Sequence, residues 1–236
     1  MGGPVELPTR VTTDTARSDQ RRQAIIRAAT EVFLTHGYLG ATTDEVAARA
    51  SVSKQTLYKH FADKQTLFAE VILDTTVIVV EGLTGAVERR LENADDVPAA
   101  LRGVAAEWMG GLLQPDVLRL RRLVIAEADR FPEVGKAWYD RGFGPALSIL
   151  GAALQRLARR GLLRTLSDPM LAAYQFAGLV MYQPMNQAMF AGTPEVPAAA
   201  ELSRIAESAV AVFLAAYGPK PRSGRDLQQP QTRGHR

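Results

Sequence analysis

Apolar side chains recur at helical spacing along nearly the whole chain. No stretch shows the period of two expected of a half-buried strand, so the chain reads as helix after helix. Ile25, Ala29, Val32 and Phe33 share one face of a first helix that Ser18 or Asp19 can cap. Gly37 ends it, because glycine enters the left-handed conformation that closes a helix. Thr42 followed by Glu45 has the form of a capping box, in which the hydroxyl accepts from the Glu45 amide and the carboxylate reaches back. This opens a short helix to Ala50 with a compact apolar face of Val46, Ala47 and Ala50. After the turn Ala50-Ser51-Val52, Ser53 caps a second short helix, Lys54 to His60, that turns Leu57 and Phe61 inward. Asp63 then caps a long helix to about Arg90; roughly 27 residues span about 40 Å, more than a small domain needs for its own core.

Helix breakers divide the chain beyond Arg90. Asp95-Asp96-Val97-Pro98 precedes a helix ending near Gly110-Gly111, Pro115 opens another, and Phe131-Pro132 interrupts it. A longer helix runs from about Val134 to Arg160, with Gly161 beyond it, and Asp168-Pro169 opens one to about Phe190. Thr193-Pro194 and Pro197 lead into a last helix ending at Tyr217-Gly218-Pro219. The expected fold is all-α, about nine helices in two parts that share the long helix. Residues 1–17 are an aperiodic arm expected to be disordered, 18–64 a head, 65–217 a helical bundle body, and 218–236 a Gly-, Pro-, Gln- and Arg-rich tail expected to be disordered.

Composition narrows the chemistry. The 236 residues contain no cysteine, which excludes disulfides, thiolate metal sites and cysteine nucleophiles and suits a reducing cytoplasm. The N-terminus has no apolar core behind a basic start, so no signal peptide is expected, and Leu171–Met185 falls short of a membrane span. The net charge of +3 is unevenly spread: residues 18–64 sum to +2, 65–217 to −3 and 218–236 to +4. A basic module on an acidic body suits a protein that meets phosphate with one part only.

The stretch Thr42 to Lys64 carries the functional signal. With Leu57 and Phe61 inward, Lys54, Gln55, Thr56, Tyr58, Lys59 and His60 are left mostly unburied on one short helix. Hydrogen-bonding side chains near a helix N-terminus meet base edges in a major groove, and flanking donors meet phosphates. The helix N-termini at Thr43 and Lys64 add backbone amides that favour phosphate oxygens. On the residues alone, a helical hairpin whose polar face is simply wet fits about as well.

The order of residues favours DNA. Phe33…Gly37-Tyr38, Ala41-Thr42-Thr43, Val46-Ala47, the run Val52 to Phe61 and Asp63-Lys64…Leu67 together resemble the DNA-binding domain of the TetR/AcrR family of bacterial transcriptional regulators. Arg121 to Pro132 is similar to the C-terminal part of its AefR-like subfamily. The resemblance implies phosphate contacts from Thr43, Ser53, Tyr58, His60 and Lys64, with Thr42 beside them, and base contacts from Lys54, Gln55 and Thr56; Lys59 fits either group. It implies further that the body binds a small-molecule effector and joins two copies into a homodimer on a near-palindromic operator, most often as a repressor. One departure stands out: the turn position usually held by glycine is Ser51, at a cost on the order of 1 kcal/mol if its φ is positive.

Other classes fit poorly. The three histidines, His36, His60 and His235, form no metal-ligand spacing, and no catalytic residue, metal or cofactor is expected. Gly142-Phe143-Gly144 begins like a dinucleotide fingerprint, but Leu147 replaces the third glycine and no strand precedes it. A nonallosteric architectural DNA-binding protein needs an extended basic surface, which the acidic body lacks. For the dimer, the last helix offers a broad stripe (Leu202, Ile205, Ala206, Ala209, Val210, Val212, Phe213, Tyr217), and the helix before it offers Ala172, Ala173, Ala177 and Gly178 for close approach. For the effector, Trp108, Met109, Phe131, Trp138, Phe143, Phe176, Met181, Tyr182 and Met185 are expected to line a pocket near Pro184. Tyr182, Gln183 and Asn186 would supply polar groups there. The ligand is expected to be apolar or amphipathic, a cation being disfavoured because Glu107 is the only acid nearby.

Overall fold

The computed structural model describes residues 10–190 and 197–219, and all regular structure among them is helical. The helices are α1 (Arg10–Gly40), α2 (Thr43–Arg49), α3 (Lys54–His60), α4 (Lys64–Leu91), α5 (Val97–Leu112), α6 (Pro115–Glu127), α7 (Pro132–Trp138), α8 (Gly144–Arg159), α9 (Pro169–Phe190) and α10 (Ala199–Tyr217). A π-helical turn, Tyr139–Phe143, joins α7 to α8, so the rod expected from Val134 to Arg160 exists as two α segments with one wide turn between them. Residues 1–9, Thr193, Pro194 and the tail beyond Pro219 lie outside the described residues.

The caps act where their chemistry places them. Thr42 accepts from the Glu45 amide at 3.2 Å, Ser53 from Thr56 at 3.0 Å, Asp63 from Thr66 at 2.7 Å and Asp96 from Ala99 at 2.9 Å. The capping box is half of one, because the Glu45 carboxylate turns away to His36 at 3.2 Å and Arg49 at 3.5 Å. Gly37, at φ +66°, breaks α1 near its end as expected. The start of α1 differs: it begins at Arg10, so the arm expected over 1–17 is helical in its second half. Neither glycine nor proline stands between Arg10 and Arg17, and extending a helix already nucleated costs little.

Packing produces two cores. The first joins α1–α3 to Leu67, Phe68, Val71 and Ile72 of α4, and also to Leu120, Leu123, Val124, Phe131 and Val134 of α6–α7. The second joins Leu83, Ala86, Val87 and Leu91 of α4 to α5, α8, α9 and α10. The long helix thus spans both, as its length suggested, with buried Thr76 between them donating to the Ile72 carbonyl at 2.6 Å. The line between head and body drawn after Lys64 is no boundary of packing. Gly142 is explained by the same crowding: a Cβ there would meet the Thr76 methyl at 3.3 Å, so the glycine serves helix contact.

Two expectations for the body need correction. Ile205, Ala206, Ala209, Val210 and Phe213 of α10 are buried within the subunit, and only Val212 of that stripe projects, 53% exposed. Ala172 and Ala173 are fully buried as well, so they cannot admit a second copy. The reason is that α10 lies on α5 as well as α9, which surrounds a stripe that one neighbour would leave half open. Among the exposed apolar residues, Leu171, Tyr174, Leu179 and Tyr182 of α9 and Val212 of α10 belong to these last two helices.

Candidate functional site

At the head, α2 and α3 meet through a turn in which Ser51 adopts φ +55°. Its amide donates to the Ala48 carbonyl at 3.1 Å and that of Val52 to Ala47 at 3.0 Å, the paired closure of a left-handed helix end. Leu57 and Phe61 are buried, which fixes the roll of α3 and turns Lys54, Gln55, Tyr58 and Lys59 outward. Gln55, Thr56, Tyr58 and Lys59 line one open depression. Thr56 and His60 are only half exposed, and the Thr56 hydroxyl pairs with that of Ser53 at 2.8 Å. The Tyr58 hydroxyl lies 3.0 Å from that of Thr43, so two expected phosphate ligands stand together at the N-terminus of α2. The Lys54 ammonium sits 2.7 Å from Asp44, whose hydrogen bond raises its pKa.

Lys64 opens α4 with its ammonium 4.6 Å from the centre of the Tyr38 ring. The Arg130 guanidinium lies 5.3 Å from the same centre. Burial first, and then the field of Arg130, push the Lys64 pKa down, so an anion at this helix end would relieve both charges. Arg130 was not among the expected contacts. It is distant in sequence and reaches the head because Phe131 packs edge-on to Tyr38 at 4.6 Å and against Phe68 at 5.9 Å.

The body holds a cavity of about 310 Å³ between α4, α5, α6, α8 and α9 and the π turn. Of the expected lining, Trp108, Phe143, Met181, Tyr182 and Met185 are there, with Asn186 as a polar group. Met109 and Phe176 belong to solid core, Phe176 standing edge-on to Trp108 at 6.4 Å and to Phe213 at 5.3 Å. Phe131 and Trp138 pack with the head core and do not reach the cavity, because α7 lies on the N-terminal half of α4. Gln183 also lies outside it, and Glu107 is occupied by Arg89 at 2.6 Å and Arg90 at 2.7 Å. Sequence reasoning missed the lining residues Leu83, Leu112, Leu147, Tyr174 and Arg121. In the sequence Arg121 is only the start of the AefR-like stretch, and the roll of α6 is what brings it to the cavity.

Two family models match. Residues 25–71 fit bacterial regulatory proteins of the tetR family, and residues 99–219 fit the C-terminal domain of AefR-like transcriptional repressors. Among solved structures, a TetR-family transcriptional regulator from Mesorhizobium loti is 42% identical with a TM-score of 0.81, over 86% of this chain and 98% of that one. The flavonoid-responsive regulator FrrA is 25% identical with a TM-score of 0.67, over 86% and 100%. The transcriptional activator FasR of Mycolicibacterium smegmatis is 39% identical over 83 residues, which is 35% of this chain and 38% of FasR. The chain thus matches less than half the length of that relative.

Proposed function

The chain belongs to the tetR family of bacterial regulatory proteins and is a DNA-binding transcriptional regulator, and from that premise we propose how it is switched. Two copies bind a near-palindromic operator through α3, and a small apolar or amphipathic effector in the body cavity releases them, so that the protein acts as a cytoplasmic repressor. The observation that carries this is the placement of α6. One side of the helix supplies Arg121 to the cavity, and the other supplies Leu120, Leu123 and Val124 to the head core. A ligand that shifts α6 therefore repacks the support of the recognition helix, and close-packed cores transmit such shifts. The coupling is a free energy: the effector acts only as far as it binds one head arrangement more tightly than the other. The flavonoid-responsive regulator FrrA is a chain of similar fold that answers an amphipathic small molecule.

The assignment of the DNA face is tested by selecting an operator from a random duplex library and measuring variants on it and on mutated sites. Tyr58→Phe and Lys64→Ala weaken binding to every sequence, because phosphate contacts carry no base information. Gln55→Ala instead costs about 1–3 kcal/mol at particular base pairs. An unchanged base preference in Gln55→Ala removes Gln55 as a reader. For the cavity, Ala177→Trp fills the space. Compounds that release operator from the native protein must lose that effect in this variant, or the effector acts elsewhere.

A further inference from the structure

Helix α6 carries three neighbouring arginines, and their surroundings differ. Arg119 faces Asp116 at 3.6 Å. Arg122 donates to the carbonyls of Ala188 at 2.6 Å and Met189 at 3.4 Å, tying down the end of α9. Arg121 turns into the cavity instead, and among the described residues no carboxylate or carbonyl pairs with it. Its guanidinium lies 5.1 Å from the centre of the Phe143 ring, whose face offsets only part of the lost hydration. Burial lowers its pKa, yet an arginine stays charged, so a half-buried cation faces the cavity with no counter-ion among the described residues. Among the described residues it is the one charged side chain lining the cavity; the remaining polar groups are the Tyr174 and Tyr182 hydroxyls and the Asn186 amide.

Building on the cavity as effector site, we propose that its ligand is an amphiphile with one carboxylate. The carboxylate seats on the Arg121 guanidinium, and the apolar part lies along Trp108, Leu112, Leu147 and Met181. A planar guanidinium fork matches a carboxylate in two parallel hydrogen bonds, and a low-dielectric wall strengthens both. A single arginine balances one negative charge, which favours a monoanion over a doubly charged phosphate ester. The cavity is small among ligand sites, which commonly run from roughly 300 to 1,000 Å³, so the apolar part is a short chain or a fused pair of rings.

The test uses matched probes that differ only in the headgroup: decanoate, 1-decanol and decylamine, and 2-naphthoate with 2-naphthalenemethanol. Binding is read at neutral pH by calorimetry and by quenching of tryptophan fluorescence, with operator release measured in parallel. The native protein is expected to bind each carboxylate at least about tenfold more tightly than its alcohol, and the amine most weakly. Arg121→Met removes that preference, so that acid and matched alcohol bind alike, while Arg121→Lys keeps part of it. Alcohols that bind the native protein as tightly as the acids overturn the proposal whether or not the variants fold, as does failure of both carboxylates to bind. Carboxylates held through Arg121 with no release of operator keep the anion site and refute the effector role. Release by neutral alcohols that Ala177→Trp abolishes does the reverse.

Discussion

Ser51 is the one non-glycine residue with positive φ among the described residues, at +55°, and it sits between the two helices of the DNA-binding motif. A side chain in that conformation crowds the neighbouring carbonyl, and glycine does not. The two hydrogen bonds of the turn hold it there regardless, from Ser51 to Ala48 and from Val52 to Ala47. Ser51→Gly is therefore expected to stabilise the protein by about 0.5–1 kcal/mol, the relief being partly offset by the greater freedom of glycine in the unfolded chain. Urea denaturation of the two proteins measures this, and a lower midpoint for the glycine variant would mean that the serine is not strained. The same scale governs DNA contact. Tyr58 is steadied by Thr43 and Lys54 is paired with Asp44, so residues that look alike in a string of polar letters start from different states.

Among the elements, α4 and α5 are held together by apolar packing along one side and by a charged cluster at the rim. Glu107 of α5 accepts from both Arg89 and Arg90 of α4. The hydrogen bond from Arg90, with that from Arg89 behind it, holds the Glu107 carboxyl below the ordinary glutamate range despite some burial. A depressed pKa of this kind stabilises the fold at every pH above the unfolded-state value, and that contribution fades as pH falls through the folded-state value. The native protein should accordingly exceed Glu107→Gln in stability by under about 1 kcal/mol near neutrality, since both arginines are largely exposed. The gap should close in acid, below the usual glutamate pKa. Denaturation midpoints of both proteins across the acid range decide it; a difference independent of pH would assign the effect to packing.

For the whole molecule, the unpartnered surface of Leu171, Leu179 and Tyr182 on α9 with Val212 on α10 is where we place the two-fold contact. A groove between α9 and α10, lined by Leu179, Tyr182, Val212 and Ala216, runs along the same face. An isologous pairing there sets two heads side by side and demands an operator with matching symmetry. The native protein should give a dimer mass by light scattering at micromolar concentration. Leu179→Glu combined with Val212→Arg should give a monomer that keeps its helix content and loses most operator affinity. A native protein of monomer mass rules the arrangement out.

Local chemistry made much of this protein legible in advance. Capping side chains, proline and glycine breakers and a 3.6-residue period act within a few residues of themselves, so the helices, their order and the outward face of α3 could be read from the string. The double role of α4 was legible in the same way, since its length exceeds what one core needs, whereas the left-handed turn at Ser51 was raised only by the resemblance, which usually has glycine there. The tertiary structure decided what depends on partners far along the chain. The roll of α6 sent Arg121 inward and Arg122 to α9, and α7 folded back on α4, which moved Phe131 and Trp138 from an expected pocket to the head. The apolar stripe of α10 was visible as a stripe, but its burial against two neighbours was not. Periodicity states that a face must be covered; which element covers it is settled only when all the helices compete for the same buried space.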